Sequence, residues 1–372
     1  MKYCKRCVQP DTRPGIILNY EGVCSACVGH EEKTKRIDWK ARRRELELIL
    51  NKFKAKGDTG YDCIIPVSGG KDSTYQVYMM TQVFKMRALA VTYRYADRTP
   101  LGQKNLDNLR KLGVDHIDIA PNPEVERKFI RKAFIEAGDP CLPDHLGIFS
   151  VTLRIAVNYK IPLIIWGENP QLEYGGKDEE RNNPYLDRKW LSLHGCLQGK
   201  LAEDWADKDL SLKDLFIYTI PSDEELASAR IQSIFLGYYL QWDPLQNYEI
   251  AKNMGFEESP DGPKMGLYDF ADLDSTNIII HHYIKLHKFG ITRLHDNISV
   301  EIRSGRMTRK EGVEILKSKE ERVPTYEIQQ FCDYLNIKES EFWEQLEEFR
   351  NKDIWKKDTD SNWYMPNYLK GL

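Results

Sequence analysis

The chain has 372 residues, with 54 Lys+Arg against 57 Asp+Glu, a formal net charge of -3, 41% hydrophobic residues and 17 prolines. That composition is globular and excludes disordered, collagenous and disulfide-dense classes. Near-neutral charge gives no global attraction for polyphosphate, and no apolar run approaches the roughly 18 residues that span a bilayer, so neither nucleic acid nor membrane is an expected partner. The start, Met1-Lys2-Tyr3-Cys4, lacks the apolar core of a signal peptide, and a cytoplasmic location is expected.

Two pairs, Cys4-x-x-Cys7 and Cys24-x-x-Cys27, open the chain sixteen residues apart, and four further cysteines are scattered singly. This spacing fits a tetrahedral four-thiolate site in a reducing compartment, with zinc as the expected ion; iron-sulfur ligation or two disulfides are the alternatives. A closed four-thiolate shell has no open position, so the metal is expected to be structural. Seven basic residues against one acid follow over 33–44, then a predicted helix over 39–54.

From there short apolar runs alternate with helical stretches: strands over 61–67, 88–93, 114–120 and 162–166, helices from 73, 102 and 124 and over 148–159. Continuous apolar runs between helices are what a parallel sheet covered on both faces requires. Past 220 helices are predicted over 224–241, 244–254, 275–289, 308–318, 325–334 and 339–349, with no strand; Thr308 and Glu311 form a capping box. The predicted division is a Cys4 zinc-binding module at 1–36, an α/β doubly wound domain at 37–220 and a helical domain at 221–372. His281, His282, His287 and His295 follow no H-E-x-x-H order and read as packing residues.

Ser68-Gly69-Gly70-Lys71-Asp72-Ser73 stands between an apolar run and a helical stretch. Two glycines allow a tight turn with exposed N-H groups, the helix start adds partial positive charge, and Lys71 with two hydroxyls binds phosphate oxygens. The loop is neither a G-x-x-x-x-G-K-[ST] nor a G-x-G-x-x-G sequence. A later strand ends in Trp166-Gly167-Glu168-Asn169, at the sheet edge where open α/β sheets bind ligands.

The Ser68 loop resembles the PP-loop of the ATP pyrophosphatase superfamily, a Rossmann-like fold that cleaves ATP between the α and β phosphates. The resemblance implies ATP and Mg2+ as cofactors, pyrophosphate held by Ser68, Gly69, Gly70, Lys71, Asp72 and Ser73, and Asp72 with Glu168 as magnesium ligands beside Gly167. Tyr93, at a strand end, is a candidate for the adenine or acceptor pocket. Gly138-Asp139-Pro140-Cys141, His145, the Trp166 run, Tyr239, Trp242-Asp243 and the blocks 288–293 and 302–309 extend the likeness over nearly the whole chain, which is similar to the N-acetyl sugar amidotransferase family of bacterial surface-polysaccharide biosynthesis.

That resemblance implies ATP-dependent conversion of an acetamido group on a free or nucleotide-linked sugar to an acetamidino group, releasing AMP and pyrophosphate, with Lys71, Asp72 and Glu168 as catalytic residues. It also implies a partner glutaminase as ammonia source, because no glutaminase-like nucleophile is visible in this chain. Asn169, Lys288, Arg293, Arg303 and Arg306 are candidates for binding the substrate, guanidinium forks suiting carboxylate or diphosphate. One departure is the order Pro143-Asp144-His145 after Cys141, so no role is carried over to that cysteine. The alternative function is a PP-loop tRNA thiolase that adenylates a base before sulfur transfer.

Overall fold

The computed structural model describes residues 1–54, 60–176, 178–319 and 322–372, with side chains left aside at 178–179. Helices α1 (Ser25–Lys35) and α2 (Trp39–Phe53) lead into strand β1 (Cys63–Pro66) and helix α3 (Lys71–Tyr78). Strand β2 (Ala88–Tyr93), helix α4 (Pro100–Arg110), strand β3 (Asp115–Ile119), helices α5 (Pro123–Ala137) and α6 (Leu142–Tyr159) and strand β4 (Leu163–Trp166) follow. With β5 (Gln232–Phe235) these strands form one parallel sheet in the order β3-β2-β1-β4-β5.

Strand β1 is central and buried from both sides, which is why its run Cys63-Ile64-Ile65 is continuously apolar. Successive side chains point to opposite faces: Ile64, Leu89, Val91 and Ile164 join one core, and Cys63, Ile65, Ala88, Ala90, Leu163 and Ile165 the other. The chain runs outward from β1 through β2 to β3 and returns on the other side as β4. The reversal opens a crevice beyond the carboxyl ends of β1 and β4, the standard ligand position in a doubly wound sheet.

The expected helix over 224–241 is corrected. A capping box of Ser222 and Glu225 starts a helix that ends at Ser228, Arg230 turns at φ 54, and Gln232–Phe235 pairs with β4 before a short helix at Leu236–Tyr239. Ile234 is fully buried there and pairs with Ile165 in the sheet. The sheet therefore continues past the boundary expected at 220, and helix Pro244–Asn253 packs on α3.

Five helices between Asn277 and Phe349 form the helical part, joined to α5 by Phe134, which stacks on Phe342 at 5.4 Å between ring centroids. The capping box of Thr308 and Glu311 is present, both residues bonding each other's backbone N-H. Among the described residues no helix is long and apolar enough to cross a membrane.

Helix α6 passes beneath Tyr93 at Gly147, where a Cβ would lie 2.4 Å from the ring. Overpacking of this kind costs about 1–3 kcal/mol, so Gly147→Ala is expected to lower urea stability by that amount with an unchanged m-value. Wild-type stability in that variant would show that the Tyr93 ring moves freely.

Candidate active site

The loop after β1 needs its glycines for contact reasons. Gly69 has φ +90, and a Cβ there would meet Gly102 O at 2.8 Å and Leu106 Cγ at 2.9 Å, so the loop presses against α4. Ser68 Oγ accepts from Gly70 N at 3.3 Å, and Ser73 Oγ donates back to Gly70 O at 2.9 Å. These bonds set the turn that starts α3, whose first-turn N-H groups lack intrahelical acceptors. Lys71 ion-pairs with Asp72 and its Nζ lies 5.8 Å from the Phe270 ring centroid, while Asn247 Nδ2 donates to Asp72 Oδ1 at 3.1 Å.

Ser68, Asp72 and Ser73 share a cavity of about 310 Å³ with Gly167 and Glu168 from the end of β4. Tyr174 donates to Glu168 Oε2 at 3.2 Å. Burial and then the charge of Asp72 push the Glu168 carboxyl up to about 7, with Lys71 opposing. Asp72 and Glu168 beside a lysine form an oxygen donor set for a hard divalent cation shared with phosphate.

The other half of the cavity is aromatic: Tyr93, Tyr95, Phe149, Trp166, Trp190, Phe235 and Trp242. Around it Gln76 Oε1, Trp166 Nε1 and Trp242 Nε1 are buried without a hydrogen-bond partner among the described residues. An apolar slot with a few unsatisfied polar atoms, next to an anion cradle, fits a ligand with a flat ring and a phosphate tail. Sequence reading missed Gln76 and Asn247, and took Trp242 only as part of the family likeness. Gln76 was findable, since it lies one helical turn beyond Asp72 and shares its face.

Tyr93 lines this cavity, but its hydroxyl points into the core, donating to Glu126 Oε1 at 3.1 Å and meeting the Tyr218 hydroxyl at 3.1 Å. Burial pushes the Glu126 carboxyl from 4.5 to about 7. A raised carboxyl contributes stability that is present below 4.5 and lost as pH rises through 7. Glu126→Gln should therefore gain on the wild type by about 1–3 kcal/mol between pH 5 and 8, checked by urea denaturation at both values. A pH-independent difference would place that carboxyl's titration elsewhere.

The four paired cysteines are free thiols, at most 5% exposed, with all Sγ atoms within 4.8 Å of one another. Cys4 and Cys27 are 3.9 Å apart, Cys7 and Cys24 3.6 Å, close to the roughly 3.8 Å that four sulfurs at 2.3 Å from a tetrahedral zinc require. Backbone N-H groups of Arg6 and Cys24 donate to Cys4 Sγ at 3.4 and 3.2 Å, which suits a thiolate. The cluster can hold zinc, and it ties the first residues to both neighbours. Lys33 pairs with Glu173 at 2.6 Å, and Gln9 and Arg13 donate to Asp296 at 2.7 and 2.8 Å. Lys33 is thereby withdrawn from the basic run that follows the knuckles.

The expected substrate cations separate in space. Arg303 is buried against the cysteine cluster, with Cys7 the strongest charge acting on it, and Arg306 is held by Glu301 and Asp243, both at 2.7 Å. Lys288 donates to Ala137 O at 2.7 Å, and Asn169 caps the helix Pro170–Tyr174 through Gln171 N and Leu172 N. Arg293 makes a two-point bond to Asp272 and acts on Tyr174, the partner of Glu168.

With this geometry in view, residues 264–370 match the family described as LPS biosynthesis protein WbpG-like, C-terminal domain. That stretch is similar to a WbpG-like C-terminal domain. It supplies Phe270 beside Lys71, Asp274 beside Ser68, and Arg293. Over 90 residues the chain is 32% identical to Uncharacterized protein MJ1599 of Methanocaldococcus jannaschii, a match covering 24% of this chain and 31% of that protein's length. Among solved structures it is similar to an NMN synthetase from Francisella tularensis, at 13% identity and TM-score 0.34 over 81% of this chain and 94% of that one. It is also similar to an NH3-dependent NAD synthetase from Campylobacter jejuni in complex with nitrate, at 18% identity and TM-score 0.30 over 59% and 93%.

Proposed function

We propose that this protein is an ATP-dependent, AMP-forming amidotransferase of surface-polysaccharide synthesis that turns a sugar acetamido group into an acetamidino group. The observation that carries the reading is the single cavity shared by the Ser68–Ser73 cradle and Glu168 at the switch point of the sheet, next to a WbpG-like domain that reaches the same loop. The aromatic half of the cavity takes adenine, and the loop with the start of α3 takes pyrophosphate.

The chemistry needs an activated oxygen, because oxide is too poor a leaving group for ammonia to displace from an amide. The acetamido oxygen attacks the α-phosphorus, the α-β bond breaks, and pyrophosphate leaves as the amide nitrogen gives up its proton. Ammonia then adds to the imidate carbon, and AMP departs with the former amide oxygen. Lys71 and the N-H groups of the first turn of α3 neutralise charge on the departing pyrophosphate, and no protein nucleophile is used. Asp72 and Glu168 would hold magnesium, which supplies charge neutralisation between phosphates when bound. The cysteine cluster would hold a structural zinc. Ammonium predominates at neutral pH, so a separate glutaminase chain is the proposed source of ammonia.

The test is mass spectrometry of purified protein with ATP, magnesium, ammonium and a panel of acetamido sugars. The expected product is lighter by the difference between an oxygen and an NH group, with AMP and pyrophosphate in equal amounts. ADP in place of AMP, or no mass change with any sugar, would overturn the reading.

A further inference from the structure

A second set of metal-ligating atoms converges away from the cysteine knuckles. A carboxylate oxygen of Asp139, Cys141 Sγ and a ring nitrogen of His281 lie within 4.8 Å of one another. They come from the turn after α5, the residue that caps α6 and the helix Asn277–Phe289 of the WbpG-like domain. We propose that Asp139, Cys141 and His281 form a second metal site, for a divalent ion of the zinc class, with three protein ligands and one open position.

The donor set suits that ion, since sulfur, imidazole and carboxylate are all zinc ligands, and three of them with a fourth place open is the pattern of an accessible site. His281 Nδ1 lies 2.9 Å from Asp139 Oδ1, and ligands about 2.0–2.1 Å from a tetrahedral zinc are roughly 3.3 Å apart, so a small widening lets the ion replace the proton between them. The ligands are themselves oriented: Cys141 N donates to Asp139 Oδ1 at 3.1 Å, and the His145 ring is bonded to Cys141 O at 2.7 Å.

Charge points the same way. Asp144, Asp139, Asp97 and Asp274 all act on the Cys141 thiol, with Asp144 the strongest of these charges, and Asp144 Oδ1 is buried with no hydrogen-bond partner among the described residues. Asp97 is held by the hydroxyls of Ser275 and Thr276 and by Asn277 N, and Asp274 by Ser68, all neutral donors. Asp139 is balanced by His281, His145 and Lys288, and a bound divalent ion would add charge compensation for the remaining buried carboxylates. The open position would take water or an oxygen of a bound molecule. The imidazole that reads as packing in sequence becomes a ligand.

The full chain is loaded with zinc, desalted and assayed for metal. Two zinc ions per wild-type chain are expected and one in both Cys141→Ser and His281→Ala, with unchanged circular dichroism and melting. The ion retained at the cysteine knuckles reports that each variant has folded. If a variant fails to fold, X-ray absorption of the zinc-loaded wild type decides, because a sulfur, nitrogen and oxygen site mixed with a four-sulfur site lowers average sulfur coordination well below four. One zinc in the wild type, two in both variants, or an all-sulfur spectrum would overturn the site and leave His281 and Asp139 as a hydrogen-bonded pair.

Discussion

Lys71→Ala is expected to lower ATP-dependent pyrophosphate release about 100- to 1,000-fold, the usual loss when one preorganised charge-stabilising donor is removed. Lys71 opens α3 directly after the glycine turn, and its ammonium sits between Asp72 and the Phe270 ring, half-buried at the mouth of the cradle. Its charge matters most as pyrophosphate departs, so the fall belongs in kcat more than in KM. Lys71→Arg should rescue little, because a planar fork does not replace a compact ammonium beside Asp72. Melting temperatures of both variants should stay near the wild type. Pyrophosphate release that survives the alanine substitution intact would remove Lys71 from the reaction.

The second large effect concerns stability. Cys24→Ser, or a strong chelator on the wild type, should abolish metal binding at the knuckles and forfeit a large part of the roughly 10–16 kcal/mol that structural zinc contributes in small zinc-folded peptides. Besides the cysteines, the buried apolar residues of the segment before α1 are Tyr3, Val8, Ile16 and Val23, a small core to hold it by itself. Release of the knuckles would also loosen Gln9 and Arg13 from Asp296, and Arg309 from Cys7 O, where it donates at 3.2 Å. Faster proteolysis of the first residues and a lower, metal-dependent melting temperature are the readouts. Identical melting with and without chelator would show that the thiols need no ion.

Local pattern carried much of the architecture. Ala88–Tyr93 and Glu339–Phe349 stand where periodicity alone put them, because each is long or apolar enough to declare its type. The strand Gln232–Phe235 did not declare itself. Its four residues run into the equally apolar Leu236–Tyr239, and only pairing with β4 separates strand from helix. In the site, the order Ser-Gly-Gly-Lys-Asp-Ser after an apolar run is enough to place the glycine turn between β1 and α3. Asn247 against Asp72 and His281 against Asp139 depend on contacts across more than a hundred residues, which no spacing rule reports. The arginines of the last third show the converse: a guanidinium suits an anionic ligand and an internal carboxylate equally, and Arg306 has found Glu301 and Asp243.

The anchoring of the knuckles to Asp296 and Arg309 has a consequence in time. A ribosome adding about 5–20 residues per second makes the cysteine pairs roughly 15–60 s before those anchors emerge. For that interval the knuckles depend on captured metal for their own order while Val8, later covered by Leu294 and Ile298, stays open to solvent. A cell short of zinc would meet this protein first as a nascent chain whose knuckle segment is unprotected, and its yield should follow zinc supply during synthesis more closely than zinc supply afterwards.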